Sequence, residues 1–216
     1  MWKNQSVCSI IPARGGSKGI PKKNIYPVNG LPLIAYTIQA SLGCEYVDET
    51  WVSSDDDEII NVAKFFGAKT IKRPQAIATD TSSSEEALLH FAKSHIFDVL
   101  VFMQATSPLT IASDIQGAIE MLETYDSVIT VSEFTQLLWT EGAPQYNINS
   151  RKRRQDTQQT YVETGAIFIT SRDRLISSKN RVSGNIGLYK VPKVRSFDID
   201  SYDDLYVIER IMKSNE

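Results

Sequence analysis

Long hydrophobic runs are missing from this chain. The longest are of the kind Val99-Leu100-Val101-Phe102-Met103, against the about twenty apolar residues that a membrane helix needs. The apolar stretch near the start ends at Ala13 and meets Arg14-Gly15-Gly16 at once. That is too short for a secretory leader, so a cytoplasmic chain with no membrane partner is expected. Cysteine is scarce as well. With only Cys8 and Cys44, a disulfide scaffold and a four-cysteine zinc site are excluded, and both read as small buried hydrophobes. Histidine is limited to His90 and His95. Neither has a paired nucleophile in view, so both read as structural. Positive charge is not in excess: 23 Lys and Arg stand against 26 Asp and Glu, a net charge of −3. A nucleic-acid-coating or membrane-coating protein would be basic overall. The P-loop pattern G-x-x-x-x-G-K-[ST] and the dinucleotide pattern G-x-G-x-x-G are absent, and so are internal repeats.

What remains is an ordinary globular composition in 216 residues, the size of one domain with at most a small appendage. Apolar β-branched runs predict strands at Val7–Ala13, Thr50–Ser54, Lys69–Lys72, Asp98–Ala105 and Ser127–Ser132. Helical spacing predicts helices at Leu31–Leu42, Asp56–Phe66, Ser83–Ser94 and Ile111–Thr124. This alternation implies right-handed crossovers and an α/β fold with a largely parallel sheet covered on both faces. Ligands bind such sheets beyond the carboxyl ends of the strands, which draws attention to the loops after Ala13, Ser54, Arg73 and Met103. The pattern fails between Phe134 and Tyr161, a polar segment carrying Arg151-Lys152-Arg153-Arg154. Later strands are expected at Gly165–Thr170, Asn185–Val191 and Arg195–Ile199. A closing helix is expected at Tyr202–Met212, with Ser201 and Asp204 as its capping signature. Trp51, Phe65, Phe66, Phe97 and Phe102 read as core.

Two constellations carry chemistry. The loop Pro12-Ala13-Arg14-Gly15-Gly16-Ser17-Lys18-Gly19-Ile20-Pro21-Lys22-Lys23-Asn24 holds four cations and no acid. Glycines that let backbone approach, with Arg and Lys beside them, suit a polyphosphate. Asp198-Ile199-Asp200 ends a predicted strand, where alternation would put both carboxylates on one face. Paired carboxylates near phosphates suit Mg²⁺.

The chain resembles the acylneuraminate cytidylyltransferases, the CMP-sialic acid synthetase family, through five ordered motifs. Ile11 to Ile25 resembles that family's signature loop. Arg73-Pro74 with Ala78-Thr79-Asp80-Thr81-Ser82-Ser83-Ser84 resembles its R-P-x-x-L-A-x-D-x-x-S segment. Gln104-Ala105-Thr106-Ser107-Pro108-Leu109 resembles Q-P-T-S-P-L. Arg153-Arg154-Gln155-Asp156, followed by Thr164-Gly165-Ala166-Ile167-Phe168, resembles R-R-Q-D then N-G-x-x-Y. Asp198-Ile199-Asp200 resembles the D-I-D metal motif.

The resemblance implies a Rossmann-like sheet of the nucleotidyltransferase type, one domain over 1–216, and an inserted arm at 134–161 through which a homodimer forms. It implies an enzyme that joins CTP to a nonulosonic acid and releases pyrophosphate. The catalytic cations would be Arg14, Lys18 and Lys23. Gly15, Ser17, Asn24, Arg73 and Ser84 would hold the nucleotide, with the segment Asp80 to Ser84 closing over base and ribose. Gln104, Ser107, Arg154 and Gln155 would face the acceptor sugar, and Asp198 and Asp200 would hold Mg²⁺. Ala105, Thr110, Thr164 and Phe168 depart from the family pattern on the acceptor side, so sialic acid, its deaminated form and legionaminic acid all stay open. Two alternatives are a 3-deoxy-octulosonate enzyme, against which the R-R-Q-D segment argues, and a silent nucleotide-binding regulator. Intact Arg14, Lys18, Asp198 and Asp200 argue against the second.

Overall fold

The computed structural model describes residues 1–151, 153, 156 and 159–214. Its centre is a seven-stranded sheet. β1 (Val7–Pro12) pairs in parallel with β4 (Glu49–Ser54) on one side and β6 (Val99–Met103) on the other. β5 (Lys69–Lys72) extends the β4 side in parallel. On the β6 side lies β10 (Thr160–Ser171), antiparallel both to β6 and to the next strand, β7 (Ser127–Phe134). β11 (Ile186–Lys190) closes that edge, parallel to β7. The sheet is therefore mostly parallel with one reversed strand. Two small hairpins stand apart from it: β2 (Pro27–Val28) with β3 (Leu31–Pro32), and β8 (Trp139–Thr140) with β9 (Ala143–Pro144).

Strand alternation divides the core between the two faces. Val7 and Ile11 of β1 join Ile34 and Ile38 of α1 (Leu33–Leu42), Ile59 of α2 (Asp57–Phe65) and Ile115 of α4 (Ala112–Glu120). Cys8 and Ile10 turn the other way, to Leu88 and Phe91 of α3 (Ser84–Ser94) and Leu175 of α5 (Arg172–Ser178). A third cluster packs Ile20, from the loop after β1, against Ile199 and against Leu205 and Ile208 of α6 (Tyr202–Lys213). This cluster draws the last part of the chain onto the first loop, which no local pattern in the sequence required.

Several expectations are corrected. Arg195–Ile199 is not a strand: a 3-10 turn covers Lys193–Ser196 and extended chain follows it. Pro192 opens that turn, and the Arg195 amide donates to its carbonyl at 2.8 Å. The first helix starts at Leu33 because Leu31 and Pro32 pair with the preceding strand. The fourth ends as α-helix at Glu120 and tightens into a 3-10 turn at Met121–Glu123. Phe65 is 84% exposed and outside the core, on the outer side of α2. Helix α5 has no counterpart in the sequence reading, although Ser171 caps it by accepting from the Arg174 amide. Among the described residues no helix is long and apolar enough to cross a membrane.

Candidate active site

The loops at the carboxyl ends of β1, β5 and β6 meet over a cleft of about 370 Å³. Arg14, Ser17, Lys18, Lys23 and Asn24 line it from the first loop, Arg73 and Ser82–Ser84 from the second. Thr106 closes it after β6, and Asp200 arrives from the C-terminal part of the chain.

Local bonds hold the first loop open. The Asn24 side chain donates to the Arg14 carbonyl at 2.9 Å, and the Gly15 amide donates to Asp55 at 3.0 Å. Gly15 is thus tied to the loop after β4 and does not line the cleft. Its lack of a side chain has a reason there, because a Cβ would stand 2.8 Å from the Asp56 carboxylate. Gly19 has a stronger one: a Cβ there would stand 2.4 Å from the Asp200 carbonyl oxygen. The two ends of the sequence touch through backbone at this point.

The cations of the loop are engaged by acids. Arg14 is paired with Asp80, and Lys18 reaches the same carboxylate at 3.1 Å. These two bonds hold the Asp80 carboxyl below its ordinary range. Lys23, whose side chain is largely covered, donates to Asp200 at 2.8 Å. Arg73 is buried, and one of its terminal nitrogens donates to the Ser53 carbonyl at 2.8 Å. Its Nε is buried without a partner, so one donor at the cleft wall is unspent. Burial pushes this guanidinium down from its ordinary value, opposed by the charge of Asp55. Ser83 caps α3 in a full capping box with Glu86, which fixes Ser82–Ser84 at the cleft rim.

Of the residues expected on the acceptor side, Gln104 and Ser107 lie on either side of Thr106 in sequence. Gln104 accepts from the Thr106 hydroxyl at 3.2 Å and lies against Gly165, whose φ of +74° belongs to an irregularity in β10. Ser107 is buried, its hydroxyl has no partner, and it is not among the residues that line the cleft. Arg154 and Gln155 fall outside the described residues. Thr164, at the position expected for Asn, bonds the Thr130 hydroxyl at 2.6 Å inside the sheet.

Asp198 and Asp200 sit on extended chain between the Lys193–Ser196 turn and α6, held by other means than strand pairing. The Ile199 amide donates to the Thr106 carbonyl at 2.9 Å, and the Asp200 amide to Asp204 at 3.1 Å. Burial raises the Asp198 carboxyl above its usual range, and the charge of Asp200 raises it further. Asp200 lines the cleft beside Lys23, and Asp198 does not; two repelling carboxylates of this kind fit Mg²⁺, which takes one or two carboxylates and fills its other positions with water and phosphate oxygens. No group of three or more His, Cys, Asp or Glu side chains placed for a metal occurs among the described residues, so a fully protein-built cage is not part of this fit. Of the segment Asp80 to Ser84, expected over the base and ribose, Ser82–Ser84 line the cleft while Asp80 pairs with the cations of the first loop. Gly19 and Thr106 lie within the matched motifs, but spacing alone assigns them no role of their own.

Comparison with known proteins bears on the family and the fold. The family model described as cytidylyltransferase matches residues 8–215. N-acylneuraminate cytidylyltransferase B of Danio rerio is 36% identical over 214 residues, covering 94% of this chain and 50% of its own. N-acylneuraminate cytidylyltransferase of Streptococcus agalactiae serotype V is 32% identical, covering 90% and 50%. The chain thus spans about half the length of the curated relatives it matches. Among solved structures, a CMP:2-keto-3-deoxy-manno-octonic acid synthetase complexed with CTP superposes with a TM-score of 0.77 at 18% identity, over 98% of this chain and 100% of that one. A 4-diphosphocytidyl-2C-methyl-D-erythritol synthase from Anaerococcus prevotii gives 0.71 at 11% identity, over 97% and 99%. At these identities the structures speak for the fold, which is the nucleotidyltransferase sheet, while the matched sequence model decides the membership: this chain belongs to the cytidylyltransferase family.

Proposed function

We propose that this chain activates a nonulosonic acid with CTP, giving the CMP-sugar and pyrophosphate, with Mg²⁺ as the metal. The observation that carries the reading is the meeting of Arg14, Lys18 and Lys23 with Asp200 in one cleft. Such a site suits a substrate that brings both a triphosphate and a metal. The names of the curated relatives give the acceptor class.

The acceptor's C2 hydroxyl oxygen attacks the α-phosphorus in line. The bond from that phosphorus to the β-phosphate oxygen breaks, and the hydroxyl proton is released. Such transfers depend on positioning and charge neutralisation. Arg14 and Lys18 exchange Asp80 for the triphosphate oxygens, and Lys23 faces the same charge from beside Asp200. Asn24, Arg73 and Ser82–Ser84 hold the nucleoside, with the free Arg73 Nε as a donor. Asp198 and Asp200 would hold Mg²⁺, which when bound stabilises charge on the leaving pyrophosphate. Gln104, at the Thr106 end of the cleft, faces the acceptor, and Arg154 and Gln155 supply the cation and amide that suit its carboxylate and polar groups.

A homodimer through the 134–161 arm belongs to the same reading. Leu138, Trp139 and Ile148 in that arm are each more than half exposed, more apolar surface than an arm facing only water would need. A monomer mass by light scattering would refute the dimer. The activity is tested by incubating the protein with CTP, Mg²⁺ and a panel of nonulosonic acids, with 3-deoxy-octulosonate included, while following pyrophosphate.

A further inference from the structure

An ion pair with a buried carboxylate lies just upstream of the paired carboxylates. Asp114, in the first turn of α4, is 2% exposed. Arg195 donates Nε to its Oδ2 at 2.8 Å and Nη2 to its Oδ1 at 2.8 Å. Two parallel charge-assisted bonds fix the orientation of the guanidinium as well as its distance. The Asp114 carboxylate is stripped of water while Arg195 keeps 27% of its side chain exposed, and the cost of burying the carboxylate offsets much of the attraction. The pair's specific contribution is geometric.

The position in the chain gives that geometry a use. Arg195 stands three residues before Asp198. Between the turn that ends at Ser196 and the helix that starts at Tyr202 there is neither strand nor helix to hold the intervening chain. Downstream, the Ile199 amide is held by Thr106 and the Asp200 amide by Asp204, while the Asp200 carbonyl abuts Gly19. Upstream of Asp198, the Val191 amide donates to the Val131 carbonyl at 2.9 Å, and nearer to Asp198 the side-chain fork ties Arg195 to α4 in the body of the domain. We propose that Arg195, through its fork to Asp114, is a positioning residue that aims Asp198, and with it the Asp198–Asp200 pair, at a divalent cation. The inference rests on the reading that this pair takes a metal.

The test uses Mn²⁺ as the probe, with free Mn²⁺ followed by electron paramagnetic resonance in the presence of the full chain and CTP. Two variants remove the fork in different ways. The double variant Arg195→Met with Asp114→Leu removes both charges and strands neither. Arg195→Lys keeps the charge and loses the planar fork. Both are expected to bind CTP in EDTA as the parent does, and to bind Mn²⁺ about 10-fold or more weakly, the scale on which residues that orient metal ligands act. Unchanged Mn²⁺ affinity in either variant that melts cooperatively overturns the proposal. So does metal-free CTP binding that weakens by the same factor, which would mark a general loosening of the cleft. If the double variant does not fold, Arg195→Lys carries the test. The underlying reading fails separately: a parent chain that binds no Mn²⁺ with CTP overturns the metal site and this inference together. Loss of Mn²⁺ in Asp200→Asn, with Arg195→Lys at parent affinity, overturns the positioning role alone.

Discussion

Replacing Gly19 by alanine tests how closely the first loop and the C-terminal segment must fit. The added Cβ would stand 2.4 Å from the Asp200 carbonyl oxygen, where real contacts stay above 3.0 Å. The obstacle is backbone on both sides, so no side chain can swing away. Gly19 adjoins Ile20, and Asp200 adjoins Ile199; both isoleucines are fixed in one buried cluster. The strain therefore falls on the exposed side, where Lys23 meets Asp200 at 2.8 Å. Overpacking of this kind costs about 1–3 kcal/mol of stability when the structure resists. If instead the segment yields, the Asp200 carboxylate, proposed as a metal ligand, moves by a fraction of an ångström to an ångström, which lowers turnover on the order of 100-fold. The expected result is a large fall in the rate of pyrophosphate release and a higher Mg²⁺ requirement, with a cooperative melt retained. Parent-like turnover and Mg²⁺ dependence in Gly19→Ala would refute the claim that this contact sets the site.

Arg14→Ala is expected to lose about 2–4 kcal/mol of transition-state stabilisation, the scale of one key electrostatic donor; kcat/KM for CTP checks it, and near-parent values remove the phosphate role. Asp200→Asn is expected to raise the Mg²⁺ needed for half-maximal rate sharply, while CTP binding in EDTA persists; an unchanged metal titration removes the ligand role. Burial pushes the Cys8 thiol from its ordinary 9.0 up to about 12. Below the ordinary value both folded and unfolded thiols are protonated and stability is unaffected. As pH rises from there toward the folded value only the unfolded thiol ionises, so stability falls. Cys8→Ala should flatten that alkaline loss in a melt series from neutral to pH 11, and an identical slope would refute the assignment.

The parallel part of the fold was legible because burial on both faces leaves its mark as continuous apolar runs. Val7–Pro12 and Val99–Met103 are such runs, and both are central strands. The chemistry of the first loop was legible for a related reason. A cation-rich, acid-free Gly loop after a buried strand has few uses other than an anion. The Asp198–Asp200 segment was misread because two acids around an isoleucine mimic strand alternation. Its actual hold is long-range: the Thr106 carbonyl, the Ile20 cluster and the Asp114 fork lie far away in sequence. Nor could spacing show that Gly15 serves Asp55 and Asp56 or that Ser107 is buried, since both follow from how neighbouring loops pack. Spacing also could not show that Asp80 pairs with Arg14 and Lys18, on another loop altogether.

The most direct test of the account follows the α-phosphate itself. CTP labelled at that phosphorus is incubated with the protein, Mg²⁺ and the panel of nonulosonic acids. Label is expected to pass into a CMP-sugar in step with an equal amount of pyrophosphate, only with such an acid and Mg²⁺ present, and Arg14→Ala is expected to slow both together. CTP binding without label transfer to any acid in the panel would contradict the proposed activity.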